Sequence, residues 1–175
     1  MQERAIRMQI KIEDAVPGDI AQCARIACDS EIGQRYGFVE ETLAARIQMR
    51  LQEGDVVLVA RDMGAIESAS SSNGAPSDII GFAWIDTKGG FGQAPYLKLI
   101  AIDASRRSTG AGSLLLSAFE ERTRGAGRAW FLLVSDFNDR AIHFYKKHGY
   151  AVVGTLPDFA KDGITELIMY KRQEA

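Results

Sequence analysis

The feature that most constrains this chain is the passage from an apolar segment through a glycine-bearing turn into a helix, spelled IAIDASRRSTGAGSLLL over residues 100–116. Before it, residues 96–102 read YLKLIAI, a strand. After it, Leu114, Leu115, Ala118 and Phe119 form a helical stripe over residues 110–124, and Gly125 and Gly127 end the helix. Residues 129–134, AWFLLV, are then apolar throughout, as expected for a strand covered on both faces. Strand, helix and doubly covered strand in succession point to an α/β fold.

The turn also has chemistry of its own. A helix entered from a glycine-rich turn leaves several backbone N–H groups unpaired and pointing outward, and the helix dipole adds positive potential there, which suits a phosphate or pyrophosphate. Gly110 and Gly112 carry no side chain to hold a ligand away from the main chain, and Arg106 and Arg107 can add charge-assisted contacts. Glycines at helix starts are common, so the turn alone does not specify a ligand. Two familiar phosphate motifs are excluded. No Lys follows a suitably spaced glycine as a Walker loop requires, and Leu115 occupies the last glycine position of a dinucleotide fingerprint.

The remaining segments read as follows. Residues 6–12, IRMQIKI, alternate as a half-buried strand; Asp19 can cap a helix carrying Ile20, Cys23, Ala24 and Ile26; residues 40–52 form a second helix on Leu43, Ile47 and Leu51, ended by Gly54. VVLVA (56–60) and IIGFAWI (79–85) are strands, and MGAIESASSSNGAPSD between them predicts a mobile hairpin loop. A second loop, TKGGFGQA, precedes the strand at 96–102. A third helix runs from about Asn138 to His148 before Gly149, and YAVVGT and TELIMYK close the chain as strands joined by LPDFAKDGI. No repeat and no linker divides the chain, so residues 1–175 are expected to form one domain.

Composition narrows the function classes. The apolar fraction is 46% and the charged fraction 25%, and no apolar run approaches the roughly 18 residues of a membrane span. No membrane role is expected, and the N-terminus MQERAIRMQIKIED carries no signal-like apolar segment, which points to the cytoplasm. A net charge of −2 offers no basic excess for a nucleic-acid backbone. Cys23 and Cys28 lack zinc-ligand spacing and have no nearby histidine, so they are expected to be reduced thiols, with no metal site.

At the turn, Arg107-Ser108-Thr109-Gly110-Ala111-Gly112 resembles the [QR]-x-x-G-x-[GA] signature of the GNAT superfamily of N-acetyltransferases. About thirty residues on, VSDFNDRAIHFYKKHGY resembles that family's second motif, with its asparagine, its alanine, its Phe-Tyr pair and its closing Gly-aromatic. The order of elements from residue 6 to residue 172 is similar too, the first eighty residues in pattern only. The resemblance implies a GNAT-type acyl-CoA N-acyltransferase fold, a mixed central sheet flanked by helices. It implies acetyl transfer from acetyl-CoA to a primary amine, on a small molecule, amino acid or peptide, by direct attack. Amides of residues 107–112 would hold the coenzyme A pyrophosphate. Main-chain groups of Ile100, Ala101 and Ile102 would bond the pantetheine arm and the acetyl carbonyl, where two strands splay apart. A homodimer is expected from the family alone.

Asn138 and Tyr145 stand seven residues apart on one helix and so share a face. Asn138 is a natural helix cap, and the resemblance implies that it also contacts the cofactor arm. Tyr145 reads as a core aromatic beside Phe144; the resemblance implies that its hydroxyl protonates the departing thiolate. Where many relatives carry Glu, two residues before Ile100, this chain carries Lys98, which cannot accept a proton when charged. Glu31, Asp86 and Glu166 are candidate replacements, each equally readable as a surface carboxylate, while His143 and His148 read as packing or surface residues. Loops at 28–40, 86–95 and 156–164 would shape the acceptor pocket through Glu31, Tyr36, Phe38, Phe91, Tyr96, Asp158 and Phe159. The competing readings are a non-catalytic acyl-CoA sensor or scaffold and an unrelated phosphate-binding domain.

Overall fold

The structure, a computed structural model, describes residues 9–64 and 78–174. Seven strands form one sheet: β1 (Ile10–Asp14), β2 (Val56–Asp62), β3 (Ile79–Gly90), β4 (Ala94–Ile102), β5 (Ala129–Ser135), β6 (Ala151–Pro157) and β7 (Thr165–Arg172). Their order is β1-β2-β3-β4-β5-β7-β6, and every neighbouring pair is antiparallel except β4 with β5. The helices are α1 (Ile20–Cys28), α2 (Glu31–Tyr36), α3 (Glu40–Gln52), α4 (Ala111–Arg122) and α5 (Asp139–Lys147).

Strand alternation sends successive side chains to opposite faces, and both faces are covered. On one, α1 and α3 bury Ile20, Cys23, Leu43 and Ile47 against Val57, Val59, Phe82 and Trp84. On the other, α4 and α5 bury Leu115, Leu116, Phe119 and Tyr145 against Leu58, Ala83, Leu132 and Met169. Each fully buried Leu, Ile or Phe contributes about 1.5–3 kcal/mol of transfer free energy. The doubly covered strand expected at 129–134 is therefore β5, next to the middle strand of the sheet and extended to Ser135.

Several boundaries differ from the sequence expectation. The first strand continues to Asp14 in register with β2, Ile10 opposite Asp62 and Asp14 opposite Leu58, and residues 6–8 of the expected strand lie outside the described residues. The hairpin loop expected at 63–78 falls mostly outside them as well, at 65–77. The loop before β4 is shorter than expected, because Gly90 pairs with Ala94 and only Phe91, Gly92 and Gln93 turn the chain. Asp19 does not cap α1: its backbone is already helical, and its carboxylate accepts from Val16 N at 2.8 Å and pairs with Arg61 at 2.8 Å.

Helix α2 lies in what reads as a loop. Ser30 Oγ accepts from Gly33 N at 3.0 Å and donates to the Ala27 carbonyl at 2.6 Å, joining the end of α1 to the start of α2. A Cβ at Gly33 would sit 2.1 Å from that same carbonyl, so only glycine lets α2 pack this closely. The consequence is that Tyr36 and Phe38, 6.0 Å apart ring to ring, are carried over the sheet.

Candidate functional site

The sheet parts between β4 and β5. These strands pair only through Tyr96 with Phe131 and Leu97 with Leu132. At that point β4 is bulged: Leu97 lies opposite Ile85 and Leu99 opposite Trp84, which leaves Lys98 as the extra residue. Beyond it, the main-chain groups of Lys98 to Ile102 that look toward β5 meet no strand. A cavity of about 540 Å³ occupies the gap and is lined from both faces of the sheet. Tyr36, Phe38, Thr42 and Arg46 bound it on the side of α2 and α3, and Asn138, Ala141 and Tyr145 bound it on the side of α5.

The glycine turn lies where β4 leads into α4. Asp103 Oδ1 accepts from Ser105 N at 2.8 Å and starts a short 3-10 turn over Ala104–Arg106. Ser108 and Gly110 then take positive φ, 66° and 91°, which directs the chain into the helix. Among the described residues, no amide from Arg107 to Ser113 donates to a protein acceptor. Such a row at the start of a 12-residue helix is a preformed anion cradle. Arg106 is not available to it, because its guanidinium pairs with Asp62 at 3.1 Å. Arg107 is exposed, and no ion pair holds it among the described residues.

On α5, Asn138 does both things open to it in sequence. Its Oδ1 caps the helix by accepting from Ala141 N at 3.1 Å, and the residue also lines the cavity. Tyr145 packs edge-on with Phe144 and Tyr150 at ring distances of 5.3 and 5.8 Å. The residue is only 5% exposed and burial pushes its pKa up, so the hydroxyl keeps its proton. No protein group accepts from that hydroxyl among the described residues, and the residue faces the cavity. His143 is exposed. His148 is held by structure: its Nδ1 donates to the Phe144 carbonyl at 2.8 Å, and its Nε2 and Ser113 Oγ share a hydrogen bond of 3.1 Å.

Lys98 lines the cavity, but its ammonium is engaged by other groups. Its ammonium lies 3.1 Å from the buried Asp55 and 4.3 Å from the Trp84 ring centroid, and Arg50 and Trp84 Nε1 hold the same carboxylate at 2.9 and 2.7 Å. Of the three candidate carboxylates, Glu31 is exposed and pairs with Arg35, and Asp86 pairs with Arg50. Glu166 alone lines the cavity, 5% exposed, with Tyr36 OH and Ser135 Oγ both on its Oε1. Tyr36, Phe38, Tyr96 and Phe159 of the expected pocket residues line the cavity; Glu31, Phe91 and Asp158 do not. Phe91 packs against Phe131 in the β3–β4 turn, and Asp158 accepts from Gly163 N within its own loop. Thr42, Arg46 and Ser135 were not anticipated. The signal for Ser135 was a polar residue closing an apolar strand directly opposite Glu166.

Cys23 is fully buried, and burial pushes its thiol up to about 12, so it is no nucleophile. Among the described residues no helix is long and apolar enough to cross a membrane, and no cluster of three His, Cys, Asp or Glu side chains could hold a metal.

Comparison with known proteins agrees with this geometry. The model of the acetyltransferase (GNAT) family matches residues 34–150, more than half of the chain. The uncharacterized N-acetyltransferase YjcF of Bacillus subtilis (strain 168) is 36% identical over 84 residues, which span 48% of this chain and 56% of that protein. Ard1 from Thermoplasma volcanium superposes with a TM-score of 0.73 at 24% identity, over 95% of this chain and 99% of that one. A GNAT-family acetyltransferase from Bacillus cereus ATCC 10987 gives 0.72 at 19% identity over 95% and 99%. An aminoglycoside 6'-N-acetyltransferase complexed with coenzyme A gives 0.69 at 16% identity over 93% and 96%. These three likenesses concern the fold.

Proposed function

The chain belongs to the GNAT acetyltransferase family, and on that premise we propose that it transfers an acetyl group from acetyl-CoA to a primary amine by direct attack on the thioester. The observation that carries this reading is the cavity at the parting of β4 and β5, lined by Ile100, Asn138 and Tyr145, together with the free amide row of the turn through which β4 continues into α4. Residues Arg107, Ser108, Thr109, Gly110, Ala111 and Gly112 offer their N–H groups to the pyrophosphate. Ile100, Ala101 and Ile102 pair with β3 but have no partner strand on the side of β5; main-chain groups on that open side bond the pantetheine arm and the acetyl carbonyl, where a fixed N–H donor stabilises the developing oxyanion. The amide nitrogen of Asn138 reaches the same arm while its oxygen keeps the helix capped.

The amine enters from the side of α2 and α3. Its nitrogen forms a bond to the carbonyl carbon, the C–S bond breaks, and the departing sulfur takes the proton of Tyr145. A volume of about 540 Å³ with aromatic walls suits a small amine, an amino acid or a peptide N-terminus. The test is thiol release from acetyl-CoA with a panel of such amines, alongside calorimetry with coenzyme A. Amine-dependent release supports the assignment. Tight coenzyme A binding with no release would instead indicate a sensor or scaffold, and absence of binding would exclude both.

A further inference from the structure

Glu166 is a buried carboxylate without a cation. It is 5% exposed, and no lysine, arginine or histidine pairs with it among the described residues. Its two protein partners, Tyr36 OH and Ser135 Oγ at 3.2 Å, both donate to Oε1. Oε2 has no partner among the described residues and is not sealed from solvent, so it opens on the cavity that the residue lines. Burying an unpaired carboxylate is expensive, and folded chains ordinarily supply a cation. Here the space beside Oε2 is the same space that Lys98, Leu99, Ile100 and Tyr145 bound.

We propose that the missing cation is the acceptor itself: Glu166 receives the ammonium of the acceptor at Oε2 and takes its proton. This rests on the acetyl-transfer reading above and supplies the base that Lys98 cannot. The ammonium gives one proton to Oε2, and the lone pair so released forms the C–N bond as the C–S bond breaks. Tyr145 gives its proton to the sulfur, and the second proton of the acylated nitrogen restores the Tyr145 hydroxyl. The proton on Glu166 leaves to solvent, so the net products are amide, thiol and one proton. The groups facing Glu166 are consistent with this. Tyr36 on α2 and Tyr96 on β4 are both pushed up to about 12, chiefly by burial, and therefore remain neutral; Arg46 on α3 and Lys98 on β4 line the same cavity, Lys98 pairing with Asp55 and neither with Glu166; Asp136 follows β5, and opposite Glu166 and Thr165 β6 presents Leu156 and Pro157. Tyr36 is a positioning residue, holding Oε1 so that Oε2 stays directed at the cavity.

The test compares the wild type with Glu166→Gln, whose amide oxygen can still accept from Tyr36. Probes are L-alanine, putrescine, glucosamine and a short alanine peptide, read as thiol release over a range of pH. The wild type should show a plateau in kcat/KM for the acceptor below the amine's own pKa. Glu166→Gln should lose about 100- to 10,000-fold near neutral pH and keep its acetyl-CoA affinity. Its rate should climb about tenfold per pH unit toward the amine's pKa, because solution must now supply the free base. Tyr36→Phe should move the acid limb of the wild-type profile to higher pH. A Glu166→Gln profile that superimposes on the wild type, or a loss confined to acetyl-CoA binding, overturns the proposal while leaving acetyl transfer standing. A wild type that binds acetyl-CoA and acetylates none of the probes overturns both.

Discussion

Gly110 separates the contribution of backbone geometry from that of charge at the turn. Its φ of 91° is one that side-chain-bearing residues resist, yet a Cβ there meets no atom within 4 Å. Gly110→Ala should therefore cost stability, about 1–2 kcal/mol, with little direct effect on the ligand. Gly110→Asp tolerates the conformation better but places a carboxylate beside the amide row. Against a pyrophosphate, that repulsion is about 4 kcal/mol at 4 Å near a protein surface. Partial screening at this exposed position brings the expected loss of coenzyme A affinity to about 100- to 1,000-fold. Calorimetry with coenzyme A, repeated with a pantetheine that lacks the pyrophosphate, is the measurement. The Asp variant should lose affinity for the first ligand only, and the loss should shrink as salt is raised. Wild-type coenzyme A affinity in a folded Gly110→Asp protein would refute the pyrophosphate assignment, and an equal loss in Gly110→Ala would show that charge is not the cause.

Tyr145→Phe keeps the ring packing against Phe144 and Tyr150, so acetyl-CoA binding should change little while turnover falls about 100-fold or more. The loss should diminish with a donor whose thiolate leaves more easily, and wild-type turnover with chemistry rate-limiting would return Tyr145 to a packing role. Lys98→Met leaves Asp55 with Arg50 and Trp84 but removes one charged partner, so denaturant melts should show a loss of about 1–3 kcal/mol. The pH profile of acetyl transfer should keep its wild-type shape, and a vanished plateau would make Lys98 part of the proton path. Phe119→Ala opens the core under α4, where the side chain is fully buried, and should cost about 3–5 kcal/mol in the same melts. A smaller loss would mean that the core collapses around the vacancy.

What could be read from the chain depended on how local its cause was. The turn at residues 107–112 and helix α4 were legible because glycine spacing and an apolar stripe act within one or two turns of chain. Helix α2 was missed because six residues are too few to display a helical period; Ser30 before it and Gly37 after it, with φ of 70°, were the available marks. The parting of the sheet was expected from the family resemblance alone and could not be read from the residues themselves. It depends on a bulge at Lys98, which exists only in relation to Trp84 and Ile85 of another strand. Glu166 was one of three candidate carboxylates, and nothing local distinguished it. Its partners Ser135 and Tyr36 lie 31 and 130 residues away, so its environment is created entirely by folding.

An open strand edge is ordinarily a hazard, since its unpaired N–H and C=O groups will accept any extended chain that can reach them. Where β4 leaves β5 after Leu97, this protein has two such edges facing one another inside the molecule, roofed by α2 and α3 on one side and α5 on the other. Another polypeptide strand cannot lie down there without displacing those helices. On the function proposed above, the slender cofactor arm, with amide groups of its own, takes that place and meets hydrogen-bonding groups already stripped of competing strands. The same interruption that weakens the sheet thus selects what may complete it.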